Sequence, residues 1–224
     1  MIRNDDPYKR VVIGWDIGNR EKPTGICVAQ TQKRDKPFWD GEKRIVPTVG
    51  QHFLIRFLER LPAGKGYPEI VDRLVDIICQ VQDEDCHRQP RVKVNVTGGT
   101  VPVVDTLDEA LRQLEDGEGD CWIQKVFVGA GDRRELADYG EVKLGKAWMV
   151  NRLQVLLQFN RVHMGCKNPM FKEMARDLGE FQLDATIDPA ERGIFRVGRH
   201  DELITALGLA LQEDVSPPGE VEIF

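Results

Sequence analysis

No stretch of this 224-residue chain approaches the run of about eighteen apolar residues that a membrane-spanning helix needs. The N-terminus, MIRNDDPYKR, has no apolar core of the kind that marks a secretory signal. A cytosolic protein is therefore expected. Cysteine is sparse and scattered: Cys27, Cys79, Cys86, Cys121 and Cys166 are odd in number and form no CxxC. That argues against a disulfide framework or a structural zinc site, and the isolated Cys86-His87 pair is too little for one. A GxxxxGK[ST] loop is missing too. Ala63-Gly64-Lys65-Gly66 has neither its spacing nor its hydroxyl, so nothing here cradles a nucleotide phosphate in that way. There is no internal repeat and no low-complexity tract. Positive charge is not in excess, with a net charge of −6. A local basic patch can still bind phosphate while carboxylates gather around metal ions elsewhere.

What the chain does have is an ordinary globular balance, 41% apolar and 30% charged residues, and enough length to bury a sizeable core. Its organising stretch is Arg10–Thr31. Val11-Val12-Ile13-Gly14-Trp15 runs into Asp16, a loop with Gly18, Asn19 and Pro23 follows, and Gly25–Ala29 is apolar again. Two short apolar runs across a polar loop predict a hairpin, with Asp16 where the first strand stops. Ile45–Leu58 predicts a third strand. The spacing of Tyr67, Ile70, Val71, Leu74, Val75, Ile78 and Val81 predicts a helix opened by Pro68. Val92, Val94 and Val96 alternate with polar residues as a fourth strand, and Val101–Leu114 follows as a helix. Cys121–Val128 is a fifth strand, 129–140 a loop, and Leu144–Phe159 a helix. Asn168-Pro169 caps a helix through Leu178, 181–197 is irregular, and Asp201–Leu211 is a last helix. This order predicts one domain over residues 10–212, between a loose 1–9 and a frayed 213–224. Its core is a mixed five-stranded sheet, a three-strand antiparallel meander plus parallel strands, with helices on both faces. Trp15, Trp122 and Trp148 are expected in the core.

Sites in such sheets gather beyond the carboxyl ends of parallel strands. Asp16 ends the first strand and Asn95 lies near the end of the fourth. Asp201 and Glu202, after His200, sit in the first turn of the last helix, where acidic groups suit the helix dipole. Read singly, Asp16 is a loop cap and the Asp201-Glu202 pair a helix cap. Converging on one edge, they would offer the hard oxygens that Mg²⁺ or Mn²⁺ prefers. Two such ions about 4 Å apart can activate water against a phosphodiester. Arg133, Arg134, Lys143, Lys146, Arg152 and Arg161 concentrate after the fifth strand. They would give DNA affinity without sequence choice.

Four motifs in order resemble the C-terminal nuclease domain of phage terminase large subunits, from about Val11 to Leu211. They are VVIGWDIG with KPTGICVA, VNVTGG followed by PVVD, the basic Lys146 ahead of an amphipathic helix, and His200-Asp201-Glu202-Leu203-Ile204-Thr205-Ala206. The resemblance implies an RNase H-like fold and a metal-dependent DNA endonuclease serving viral genome packaging. It would be a phage or prophage protein in a bacterial cytoplasm. Its partners would be double-stranded DNA, a separate packaging ATPase and a portal protein; with the motor domain's phosphate loop missing, the chain is either an excised domain or a stand-alone nuclease-like protein. It places metal ligands at Asp16, Asn95, Asp201 and Glu202, catalysis at Asp16, Asn95 and Asp201, and assistance at His200. Asn95 stands where the family carries a carboxylate, and Glu202 where it carries Asp. The first change replaces a full negative charge by a neutral carbonyl and should weaken a cation site. Cleavage that is weak or needs high Mn²⁺ is expected, and a DNA-binding packaging scaffold is the alternative. A junction-resolving nuclease shares the constellation. Trp15-Asp16-Ile17-Gly18 also resembles the phosphate loop of actin-like ATPases, which need a far longer chain.

Overall fold

The computed structural model describes residues 10–34, 38–39, 44–45, 50–84, 89–114, 119–137, 140–164, 168–179, 182–183, 195–196 and 201–212. The predicted hairpin forms from β1 (Val11–Asp16) and β2 (Thr24–Arg34), antiparallel with Asp16 opposite Gly25. A two-residue ribbon, β3 (Phe38–Trp39) with β4 (Arg44–Ile45), precedes β5 (Gly50–Leu61). The third large strand thus starts five residues later than the apolar pattern suggests. α1 (Tyr67–Glu84), β6 (Arg91–Asn95), α2 (Val101–Arg112) and β7 (Trp122–Gly129) follow. Next come β8 (Arg134–Leu136), β9 (Val142–Gly145), α3 (Lys146–Gln158) and β10 (Val162–Met164). α4 (Met170–Gly179), the short ribbon β11 (Gln182–Leu183) with β12 (Phe195–Arg196), and α5 (Glu202–Ala210) complete the chain.

The sheet has eight strands, in the order β10-β5-β2-β1-β6-β7-β9-β8. Its middle, β5-β2-β1-β6-β7, is the predicted meander plus parallel pair. β9 and β8 extend one edge and β10 the other. The loop expected over 129–140 therefore contains β8. The helix expected from Leu144 begins at Lys146, because Val142–Gly145 pairs with β7 instead.

Alternation divides the core. Val11, Ile13 and Trp15 pack under α1 and α2, while Cys27, Ala29, Phe53 and Ile55 pack under α3, α4 and α5. Of the three tryptophans expected in the core, Trp15 is fully buried and Trp148 packs against it. Trp122 is 44% exposed, its ring faced by the Arg91 guanidinium, so it is not core. Tyr67, at the open first turn of α1, is also exposed.

α5 is buried on every side, as its composition ELITALGLA demands. It can lie this deep because two strand glycines let its backbone touch the sheet. A Cβ on Gly14 would stand 1.9 Å from the Ala206 carbonyl oxygen, and one on Gly25 2.3 Å from that of Glu202. This contact brings the start of α5 to the end of β1. Among the described residues no helix is long and apolar enough to cross a membrane.

Candidate active site

β1 and β6 are parallel neighbours with Asp16 opposite Asn95. β5 also runs parallel to β1 through β2, so Arg60, Gly25, Asp16 and Asn95 form one row across the carboxyl edge. Paired residues share a face, and Gly25 faces the Glu202 carbonyl. The row therefore points at the first turn of α5, where Asp201 stands at the N-cap and Glu202 at the first helical position.

Each acid already has a partner. Asn95 Nδ2 donates to Asp16 Oδ1 at 2.6 Å, while Asn95 Oδ1 accepts from the Thr97 amide at 3.1 Å. The Thr97 N–H fixes the amide orientation, so Asn95 turns its NH₂ rather than its oxygen toward Asp16. Lys146, the first residue of α3, donates from Nζ to Asp201 Oδ2 at 2.7 Å. Glu202 pairs with Arg60 Nε, and the other guanidinium nitrogens reach Glu173 at 2.7 Å and Asp177 at 2.5 Å. Glu173 and Asp177, four apart on one face of α4, belong to this cluster and have no counterpart in the sequence motifs. Their spacing and the arginine at a strand end were the only available signal.

Burial drives the Asp16 pKa up from 3.8 to about 7. The Asn95 hydrogen bond opposes this, Asp201 adds to it, Lys146 opposes it and Glu202 adds to it. Asp16, Asn95 and Asp201 thus meet at one edge, and Glu202 lies within electrostatic reach but against Arg60. Among the described residues no three His, Cys, Asp or Glu side chains form a metal-binding group. His200 and the Cys86-His87 pair lie outside the described residues.

Beyond Asn95 the carboxyl ends of β6, β7 and β9 open onto a cavity of about 630 Å³, lined in part by Val96, Thr97, Phe127, Arg133 and Lys143. Arg134 is exposed on the adjacent β8, and Arg133 is exposed beside Asp132. Arg152 is elsewhere: its Nε donates to the Leu211 carbonyl at 2.8 Å, at the far end of α5 from Asp201. Arg161 faces the Phe159 ring.

An α/β sheet with this strand order and an acidic carboxyl edge is the RNase H-like arrangement. No protein-family model matches the sequence, and no curated protein sequence matches it. Among solved structures, the large terminase nuclease from thermophilic phage G20c aligns with a TM-score of 0.54 at 16% identity, over 91% of this chain and 82% of that one. The Mn-soaked terminase nuclease domain of human cytomegalovirus aligns with a TM-score of 0.54 at 12% identity, over 93% and 85%. At these identities the likeness is one of fold, and the fold is that of the terminase nuclease domains.

Proposed function

We propose that this chain is a metal-dependent endodeoxyribonuclease of the terminase type, acting on double-stranded DNA, with a cation site weakened by Asn95. Asp16 carries the reading. Its carboxylate is held at a partly buried edge beside Asp201, and a divalent cation is the partner that would relieve both charges. Asp16 and Asp201 fit Mg²⁺ or Mn²⁺ as hard oxygen ligands. Asn95 fits poorly, since its oxygen is engaged by Thr97. The Mn-soaked cytomegalovirus domain supports Mn²⁺ as the ion to try first. Of the expected pair of cations, one position is well provided and the second is not. When bound, the ion supplies activated water and charge for the leaving oxygen of a phosphodiester.

The chain's own residues do the rest. Asp16 and Asp201 orient the attack, and Lys146 holds Asp201 in place. Arg133 and Lys143, along the neighbouring cavity, and Arg134, exposed on the adjacent β8, hold the DNA backbone without sequence choice. His200 assists by its place just before Asp201. The setting is viral genome packaging in a bacterial cytoplasm, with a packaging ATPase and a portal protein as partners. A second reading, a DNA-binding scaffold without cleavage, is favoured by one observation, the Asn95 amide donating into the site.

Mn²⁺-dependent nicking of supercoiled plasmid separates the two. Asn95→Asp should cleave at least tenfold faster than the parent, and Asp16→Ala should not cleave. If all three are inert yet retard DNA at low salt, the scaffold reading replaces the nuclease.

A further inference from the structure

Asp201 and Glu202 are consecutive, yet their side chains are drawn in opposite directions. Lys146, which takes Asp201, follows β9, three strands from β1 on the β6 side. Arg60, which takes Glu202, lies on β5, two strands from β1 on the other side. Successive helical positions differ by about 100°, so one helix start can serve both directions at once. The divided acids therefore belong to different assemblies.

The assembly around Arg60 is closed. Its guanidinium is hydrogen-bonded to Asp177 and Glu173 and ion-paired through Nε with Glu202, with side-chain exposures of 14% for Arg60, 5% for both Glu202 and Asp177 and 37% for Glu173. The fork of five donors on a planar guanidinium suits several carboxylates at once. A carboxylate this deep is stable only against a cation, and outside the pair Glu202 would be a buried charge without one. Arg60 also joins three elements, β5, α4 and α5, at the point where Gly25 lets the Glu202 backbone touch the sheet.

We infer that Arg60 is a positioning residue. It takes Glu202 out of the cation-binding set and fixes the start of α5 on the sheet edge, so that Asp16 and Asp201 alone face the ion. The inference rests on the proposed cation site at Asp16. It also departs from the family pattern, in which the second acid of this pair belongs to the metal site.

Mn²⁺ titration calorimetry and metal-free melting test it on the full chain. Glu202→Gln should lower the metal-free Tm by roughly 6 °C or more, as breaking a buried pair does. Its Mn²⁺ Kd should stay within twofold of the parent, while Asp201→Asn weakens Mn²⁺ at least tenfold. A Glu202→Gln chain that melts like the parent and loses Mn²⁺ as Asp201→Asn does would overturn the inference. Should Glu202→Gln not fold, Arg60→Gln decides. It should melt lower without metal and gain a larger Mn²⁺-dependent rise in Tm than the parent, because Glu202 is released. A parent-like Tm and an unchanged Mn²⁺ response overturn the clamp. If the parent binds no Mn²⁺ at all, the nuclease reading fails and the clamp is judged on the metal-free melting temperatures.

Discussion

Asp16→Asn should stabilise this protein, and its effect should depend on pH in a defined way. Asp16 is ordered where its charge is costly: its pKa stands at about 7 against an ordinary 3.8, with burial the largest cause. At about 1.4 kcal/mol per unit, that difference is about 4 kcal/mol of destabilisation once the group is ionised in both states. The sign follows from proton binding. Below about pH 4 both folded and unfolded chains hold the proton, and the cost is absent. Between about 4 and 7 the unfolded chain loses the proton first, so stability falls as pH rises. Above about 7 the full cost is present and constant.

An asparagine at position 16 has no such charge, and its carbonyl can still accept from Asn95 Nδ2 at the same place. Melting in EDTA across pH 4 to 9 should therefore give a difference curve. It starts near zero, climbs between about pH 4 and 7, and levels off with Asp16→Asn melting roughly 10 °C higher. The same variant should lose Mn²⁺-dependent nicking. A variant that melts at or below the parent at pH 8 would refute the reasoning, because the carboxylate would then be adequately solvated or paired.

Gly14→Ala should unfold or strongly destabilise the chain, since its Cβ meets the Ala206 carbonyl at 1.9 Å and neither backbone can yield cheaply. Circular dichroism melting checks it, and a Tm within a few degrees of the parent would mean that α5 stands off the sheet. Lys146→Gln should cost less than about 1 kcal/mol in stability, as a partly exposed pair does. By removing a competing cation from Asp201 it should tighten Mn²⁺ several-fold by calorimetry. Unchanged Mn²⁺ affinity together with weaker DNA retention would instead assign the lysine to phosphate.

The middle of the fold was legible because its signals are strong and local. Val11–Asp16, Val92–Val96 and the α1 stripe each carry one unambiguous period, and the polar loop after Asp16 left a hairpin as the natural reading. The outer strands were not legible. Val142 and Leu144 are buried as strand residues, but Ala147, Met149 and Val150 continue the apolar sequence at helical spacing. No break in composition separates the two periods. β10 has three residues, below the length at which alternation says anything. Trp122 was misplaced because a large aromatic ring suggests burial, whereas here it offers a face to Arg91 at the start of β7.

The meeting of Asp16, Asn95 and Asp201 at one edge was legible in the sequence, their partners were not, and the partners decide what each acid can do. Strand ends and the family resemblance gather Asp16, Asn95, Asp201 and Glu202 at one edge and mark Asn95 as the weak ligand, but say nothing of what each one pairs with. The row Arg60–Gly25–Asp16–Asn95 makes them unequal. Arg60 meets Glu202 because Gly25 between them has no side chain, so the helix start and the arginine share the space above one residue. Asn95 meets Asp16 with its NH₂ because the Thr97 amide claims its oxygen. Both departures from the terminase pattern remove negative charge from the same place. Asn95 contributes none, and Glu202 is turned to the Arg60 guanidinium, which it shares with Glu173 and Asp177. On the proposed reading, Asp16 and Asp201 are the carboxylates left to one divalent ion, and a second ion would lack the ligand that Asn95 does not supply.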